Sequence, residues 1–445
     1  MMKNDNIAAI STAAGAAGVA VIRISGKDPL SVAEKAFRPA GKTAVADFIP
    51  NMMYAGEIDA GEFTDFGLCV YFKAPRSFTG EDTVEFHSHG GTAIAQGILK
   101  RVLSLGARLA EHGEFTRRAF LNGKLSLASA EGLIDMINAE SVAGVKAGYS
   151  LYREKLTADV TAMQKELTAA LSQIDADMDF PEEGLEETSR AAVKSALGRT
   201  VERTDKLLAT FRSGSRVKNG VKVGIVGKPN TGKSSLLNAL LGFDKAIVSD
   251  VPGTTRDIVE GSLTINGVKF LFSDTAGIRD SADRIESFGV ALSKKVLEES
   301  DILLFVVGAG ELGKEDEAVY SLVKDKNVLF AVNKTDKSDY KDPRADIYLS
   351  AKTGENLEEL KAALYNRTVG TVDLNGDFLC EERHFDALTR AKEHLVSALG
   401  AADDAPLDIL AVDITSGWQA LGEISGKTAS EDIIDDIFSR FCVGK

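Results

Sequence analysis

The apolar positions along this chain change period several times, and each change marks an element boundary. From Asn6 to about Leu121, short apolar runs read as strands: IAAIS, GVAVIRISG at Gly18 to Gly26, LCVYFKAP and TVEFHSHGG. PLSVAEKAF and AIAQGILKRVLSL lie between them with helical spacing, so this stretch is expected to be a compact α+β domain. From Glu114 the period lengthens. Leu156, Val160, Met163, Leu167, Leu171, Ile174 and Met178 recur every three or four residues, the packed face of one long helix, until Pro181 and Gly184 interrupt it. A second helix is expected on Val193, Leu197, Val201, Leu207 and Phe211. Arg212 to Gly220, RSGSRVKNG, is rich in Gly, Ser and basic residues and reads as a linker.

The strand pattern then returns in VKVGIV, FLFSD, DILLFVVG and NVLFAVN, with a helical pattern, SLLNALLG, after the first. From Leu379 the chain is again helical. Phe385, Leu388, Ala391 and Leu395 share one face, and Ile433, Ile434, Ile437, Phe438 and Phe441 another. Trp418, the single Trp, is expected in the core.

Composition narrows the class. A length of 445 residues with 44% apolar positions is enough for about three ordinary domains. No apolar run reaches about eighteen residues, and MMKNDNIAAI lacks a basic segment followed by an apolar one, so neither a membrane span nor a signal peptide is expected. Cys69, Cys380 and Cys442 are odd in number and scattered, which fits a reducing, cytoplasmic setting. A net charge of −14 argues against a protein that holds DNA or RNA by bulk electrostatics. An RNA substrate would have to meet a local basic patch or a partner's surface.

The candidate chemistry begins at GKPNTGKSS, Gly227 to Ser235, between a strand pattern and a helical one. There Gly227 and Gly232 allow backbone N–H groups to converge on a polyphosphate, Lys233 reaches the outer phosphates, and Ser234 is a magnesium ligand. DVPGTTRD follows, with Thr255 as the second magnesium ligand. FLFSDTAGI then places Asp274 to orient the metal's water shell and Gly277 against a γ-phosphate. In NVLFAVNKTD, Asn333, Lys334 and Asp336 stand at the carboxyl end of a strand, where open parallel sheets bind ligands. Asp336 can accept both the ring N–H and the amino group of guanine, and Ser350, Ala351 and Lys352 in IYLSAKTG lie beside the base carbonyl.

This ordered set resembles the five signatures of GTP-binding proteins. It predicts a nucleotide site made of Asn230, Thr231, Gly232, Lys233, Ser234 and Ser235, then Ser249, Asp250, Val251, Pro252, Gly253, Thr254 and Thr255. Asp274, Thr275, Ala276 and Gly277 follow, then Asn333, Lys334, Thr335 and Asp336, and finally Ser350, Ala351 and Lys352. Small signalling GTPases carry a Gln after this DTAG, and here the residue is Ile278. Asp283 and Glu286 are the candidates for positioning water, and a monovalent cation near Asn230 is a candidate for the missing positive charge.

Other charged positions read less specifically. Arg23 and Glu85 sit in strand patterns, and for each alone an edge-facing solvated side chain is favoured over a ligand contact. His87 and His89 share one strand face, yet no further ligand follows at metal spacing. Cys442 alone reads as a small packed residue.

The segments GVAVIRISG, SFTGEDTVEF with HGG, GEFTRRAFLNGKLSLASAE, DFPEE and the terminal FCVGK are similar, from end to end, to the MnmE/TrmE family of tRNA modification GTPases. That resemblance implies a multidomain α/β protein in three parts. Residues 1–121 would form an N-terminal folate-binding and dimerisation domain, and 122–216 with 379–445 an all-α helical domain. Residues 217–378 would be an inserted P-loop GTPase domain with a doubly wound, mostly parallel sheet. It implies a homodimer that hydrolyses GTP and works with a flavin-dependent partner, MnmG (GidA), in a heterotetramer or larger complex. Together they add an aminomethyl or carboxymethylaminomethyl group to the wobble uridine of certain tRNAs.

The resemblance further implies magnesium on Ser234 and Thr255, potassium on Asn230, Ser249, Val251 and Thr254, and water positioned by Glu286, with Lys233 and Asp274 completing the catalytic set. It implies formyl-tetrahydrofolate or a related folate on Arg23, Glu85, Lys124 and Lys445, and it brings Cys442 near the one-carbon site. Ser249 stands where Thr is common in the family and keeps the oxygen. Two other classes fit parts of the pattern: an RNA-binding ribosome assembly GTPase, which would need a basic module, and a folate-dependent one-carbon transfer enzyme with a regulatory GTPase domain.

Overall fold

A computed structural model describes residues 5–180, 186–243, 261–274, 296–310, 312–370 and 378–445. They form two compact units, one from 1–134, 156–164 and 419–445 and the other from 135–155 and 165–418. Among the described residues no helix is long and apolar enough to cross a membrane.

The first unit is built on a sheet ordered β3-β4-β5-β6-β2-β1-β7. Its strands are β1 (Ile7–Ile10), β2 (Ala17–Gly26), β3 (Phe37–Pro39), β4 (Met53–Asp59), β5 (Thr64–Phe72), β6 (Asp82–Gly90) and β7 (Arg108–Leu109). The pairs are antiparallel except β1 with β7. Helices Pro29–Ala36 and Thr92–Ser104 cover one face, burying Val32, Ile98 and Val102 against Ile22, Ile24, Cys69, Val84 and Phe86. The first of these helices starts where it does because the Asp28 side chain accepts the Ser31 N–H and Pro29 has the preset φ of a first turn.

Strand alternation sends Arg23 and Glu85 to the opposite face, and their strands are interior ones, each paired on both sides. The expectation of solvated edge charges is therefore corrected. The two stand directly across from each other and neutralise one another.

The second unit holds a sheet ordered β13-β12-β11-β8-β10-β9. Its strands are β8 (Val221–Val226), β9 (Gly261–Ile265), β10 (Val268–Asp274), β11 (Ile302–Gly308), β12 (Val328–Asn333) and β13 (Ile347–Tyr348). Only the β9–β10 pair is antiparallel. Alternate residues of β11 feed two cores. Ile302, Leu304 and Val306 meet helices Lys233–Phe243 and Leu357–Thr368, while Leu303, Phe305 and Val307 meet Val323 of helix Lys314–Val323. Burial on both faces is why these strands are continuously apolar, and it makes the sheet doubly wound as expected.

The linker expected at Arg212–Gly220 is not one: helix Glu186–Asn219 runs through it to within two residues of β8. Val217 is fully buried, and a Cβ on Gly214 would lie 1.9 Å from the Leu379 carbonyl. The glycine permits a close backbone crossing, and Arg and Lys are good helix formers. Phe211 stacks on Phe385 of helix Glu382–Ala401 at 4.4 Å between ring centres, as the apolar stripes required. Lys218 then pairs with Asp135 at 2.8 Å and with Glu381, joining the segments before and after the sheet. Burial, followed by the Glu381 carboxylate, pushes Asp135 up to about 8. Trp418 is only half-buried rather than in the core, and donates its indole N–H to Thr168. Met178 is exposed.

Candidate functional site

Gly227 to Ser235 links β8 to helix Lys233–Phe243, and its glycines are fixed by close approach. A Cβ on Gly227 (φ 148°) would lie 2.2 Å from the Val306 carbonyl of neighbouring β11, and one on Gly232 (φ 98°) would lie 2.4 Å from Asn333 Nδ2. Asn230, between them, is also left-handed at φ 64°. Lys233 donates from Nζ to the carbonyls of Gly227 at 2.8 Å and Lys228 at 3.0 Å. Thr231 Oγ1 donates to the same Lys228 carbonyl at 3.1 Å. Thr231 and Lys233 are buried, while Ser234 and Ser235 are exposed in the first helical turn. The result is a ring of backbone around an ammonium group, at a helix N-terminus whose dipole favours anions.

The end of β12 meets this loop. Asn333, 1% exposed, donates from Nδ2 to the Thr231 carbonyl at 3.1 Å. Its Oδ1 accepts the backbone N–H groups of Lys334 at 2.8 Å and Ala351 at 3.0 Å. Lys334, left-handed at φ 69°, donates from Nζ to the Asn230 carbonyl at 2.6 Å. Thr335 donates to Glu355 at 3.0 Å. Ser350 donates its hydroxyl to Asp336 Oδ1 at 2.7 Å, and that bond holds the Asp336 carboxyl below the usual carboxylate range, with Lys352 adding to the effect. Three stretches read separately in the sequence are thus joined at one place.

Asp274 closes β10 opposite Ile225 of β8. Ser249, Asp250, Val251, Pro252, Gly253, Thr254, Thr255, Thr275, Ala276, Gly277, Ile278, Asp283 and Glu286 lie outside the described residues. One pair in this region has no signal in the sequence: Lys228, a variable position inside the loop motif, faces Asp316 of helix Lys314–Val323 at 2.5 Å.

In the first unit, Arg23 Nε donates to Glu85 Oε1 at 2.7 Å, and His87 Nε2 lies 3.3 Å from Glu85 Oε2. The Arg23 guanidinium lies over the rings of Phe78 and Phe115 at 5.5 and 5.7 Å. Burial alone raises the Glu85 carboxyl, but the His87 hydrogen bond and the Arg23 charge outweigh it and hold the group below its ordinary value. Buried Arg118 steadies the segment carrying Phe78 by binding Asp5 at 2.8 Å, Glu81 at 3.1 Å and Glu114 at 3.1 Å. Lys124 is anchored apart from this pair, its Nζ donating to the Pro75 carbonyl at 2.9 Å. Near Lys445, Val443 bridges to His112, and Gly444 lies against the Ile10 carbonyl, where a Cβ would come within 2.3 Å. His89 pairs with Asp65 at 2.7 Å rather than with His87's partner. Cys442 is exposed.

Comparison with known proteins covers the whole chain. The model of the MnmE helical domain matches residues 127–442, and that of the GTP-binding protein TrmE N-terminus matches residues 6–124. A tRNA modification GTPase MnmE from Thermoanaerobacter pseudethanolicus is 40% identical over 457 residues, 99% of each chain. Its counterpart from Desulforamulus reducens is 39% identical over 461 residues, 100% of each.

Proposed function

This chain belongs to the MnmE family of tRNA modification GTPases, and from that premise we propose a specific role for its GTP hydrolysis. The protein acts as a homodimer with a flavin-dependent MnmG partner, in a heterotetramer or larger complex. It adds an aminomethyl or carboxymethylaminomethyl group to the wobble uridine of tRNA. The observation that carries the nucleotide half is the Asn333 junction, since one buried amide sets the phosphate loop and the base-reading loops in a single geometry.

In this reading Lys233 neutralises the outer phosphates, held in place by the Gly227 and Lys228 carbonyls. Ser234, exposed beside it, and Thr255 hold magnesium, which shields phosphate charge when bound. Asn230, whose carbonyl is fixed by Lys334, holds potassium together with Ser249, Val251 and Thr254, supplying the charge that an arginine finger gives elsewhere. Glu286 orients the attacking water in place of the glutamine. GTP turnover by the purified protein in potassium and in sodium chloride at equal ionic strength tests this. We expect potassium to be at least about tenfold faster, since a finger charge is worth about three to five orders of magnitude. Equal, very slow rates would assign the charge to a partner instead.

The folate half rests on the Arg23–Glu85 pair: a half-buried guanidinium and carboxylate flanked by two aromatic rings suit a flat, polar heterocycle. Lys124 and Lys445 would meet the glutamate tail. Arg23→Ala is expected to weaken 5-formyl-tetrahydrofolate binding in calorimetry by about tenfold or more, the worth of a charge-assisted hydrogen bond. Unchanged affinity would leave the pair a structural one.

A further inference from the structure

The side chains of Lys228 and Asp316 have no part in the chemistry described above, where only the Lys228 backbone carbonyl serves. The Asp316 side chain is 2% exposed, although aspartate is rarely buried so fully. Its Oδ2 accepts both the Lys228 ammonium at 2.5 Å and the Gly313 backbone N–H at 3.0 Å, while its Oδ1 is buried and without a hydrogen-bond partner among the described residues. Capping helix Lys314–Val323 needs no such burial, because an exposed aspartate in a first turn serves equally well. Taking a charge pair out of water is also a poor route to stability.

What the pair does achieve is to fix Lys228, whose side chain is still one-third exposed, against the helix that follows β11. The backbone of this same residue is a hub of the phosphate loop, for its carbonyl accepts from both Lys233 Nζ and Thr231 Oγ1. We propose that Lys228 and Asp316 are positioning residues for GTP hydrolysis: Asp316 clamps the Lys228 side chain, which sets the Lys228 carbonyl, which aims the Lys233 ammonium at the outer phosphates. The clamp also keeps a second ammonium from competing with Lys233 in the cradle. This concerns the GTPase reaction alone and stands whatever the folate or tRNA chemistry is.

The test uses the full chain and four variants: Asp316→Asn, Lys228→Gln, the double variant and Lys228→Arg. Asp316→Asn keeps the volume and the acceptor for Gly313 while removing the charge that holds Lys228. We expect Asp316→Asn and Lys228→Gln each to lower kcat for GTP by about ten- to a hundredfold, the cost of a misplaced group, with a smaller change in KM. The double variant should be no slower than the slower single one, because the two act as a unit, and Lys228→Arg should restore at least half the rate. A fall in melting temperature with kcat per folded molecule unchanged would overturn the proposal, as would fully additive losses. Should Lys228→Gln fail to fold with a carboxylate left buried and unpaired, Asp316→Asn decides alone, since its Lys228 can turn to water.

Discussion

Asp336→Asn should turn the protein from GTP toward xanthosine triphosphate. A carboxylate offers two acceptors, matching the ring N–H and the exocyclic amino group of guanine, whereas an amide offers one acceptor and one donor. Xanthine carries an oxygen where guanine has the amino group, so the amide fits it. The Ser350 hydroxyl fixes one carboxylate oxygen at 2.7 Å and keeps the group ionised, so the side chain is aimed rather than free to adapt. Sites that read a hydrogen-bonding group can reject its mismatch by about four to five orders of magnitude. Because Asp336 is solvent-exposed, we expect a smaller but still decisive loss, about two orders of magnitude in kcat/KM for GTP, with a gain for xanthosine triphosphate. Competition kinetics with both nucleotides measures this. A variant that still prefers GTP would remove Asp336 from base recognition.

Asn333→Ala should cost even more binding without touching the nucleotide directly. It removes the bonds to Thr231, Lys334 and Ala351 at once and leaves three backbone groups without that partner. At about 1 kcal/mol each the total is about 3 kcal/mol, more than a hundredfold in affinity, and desolvation of the abandoned groups adds to it. Gly232 compounds the loss, since the loop there lies against the missing amide. Titration with a fluorescent GDP analogue and a melting curve together check this. Affinity within about threefold of the parent would show that the loops hold their geometry by other means.

Much of this site is legible in the residues themselves, and so are most of the elements that carry it. VKVGIV is β8 to the residue, because a short apolar run before a glycine loop has few other ways to fold. Composition misleads where the environment of a residue decides its structure. RSGSRVKNG has the residues of a linker, yet it is helix, because Gly214 permits a neighbouring backbone to cross and Val217 is buried in the sheet's core. Arg23 and Glu85 look like solvated charges when each is taken alone, and only strand register shows that they face each other.

The amino-acid sequence by itself determined the family, the order of the nucleotide motifs and the kind of element each sits on, since motif and periodicity are local properties of neighbouring residues. Tertiary structure alone decided the partners. Asn333 meets Thr231 across 102 residues, Lys228 meets Asp316 across 88 and Arg23 meets Glu85 across 62. Those distances close because β11 lies beside β8 with β12 next to it, and β6 lies beside β2. Strand order is a property of the whole fold, and no local pattern encodes which distant side chain will stand at the other end of a hydrogen bond.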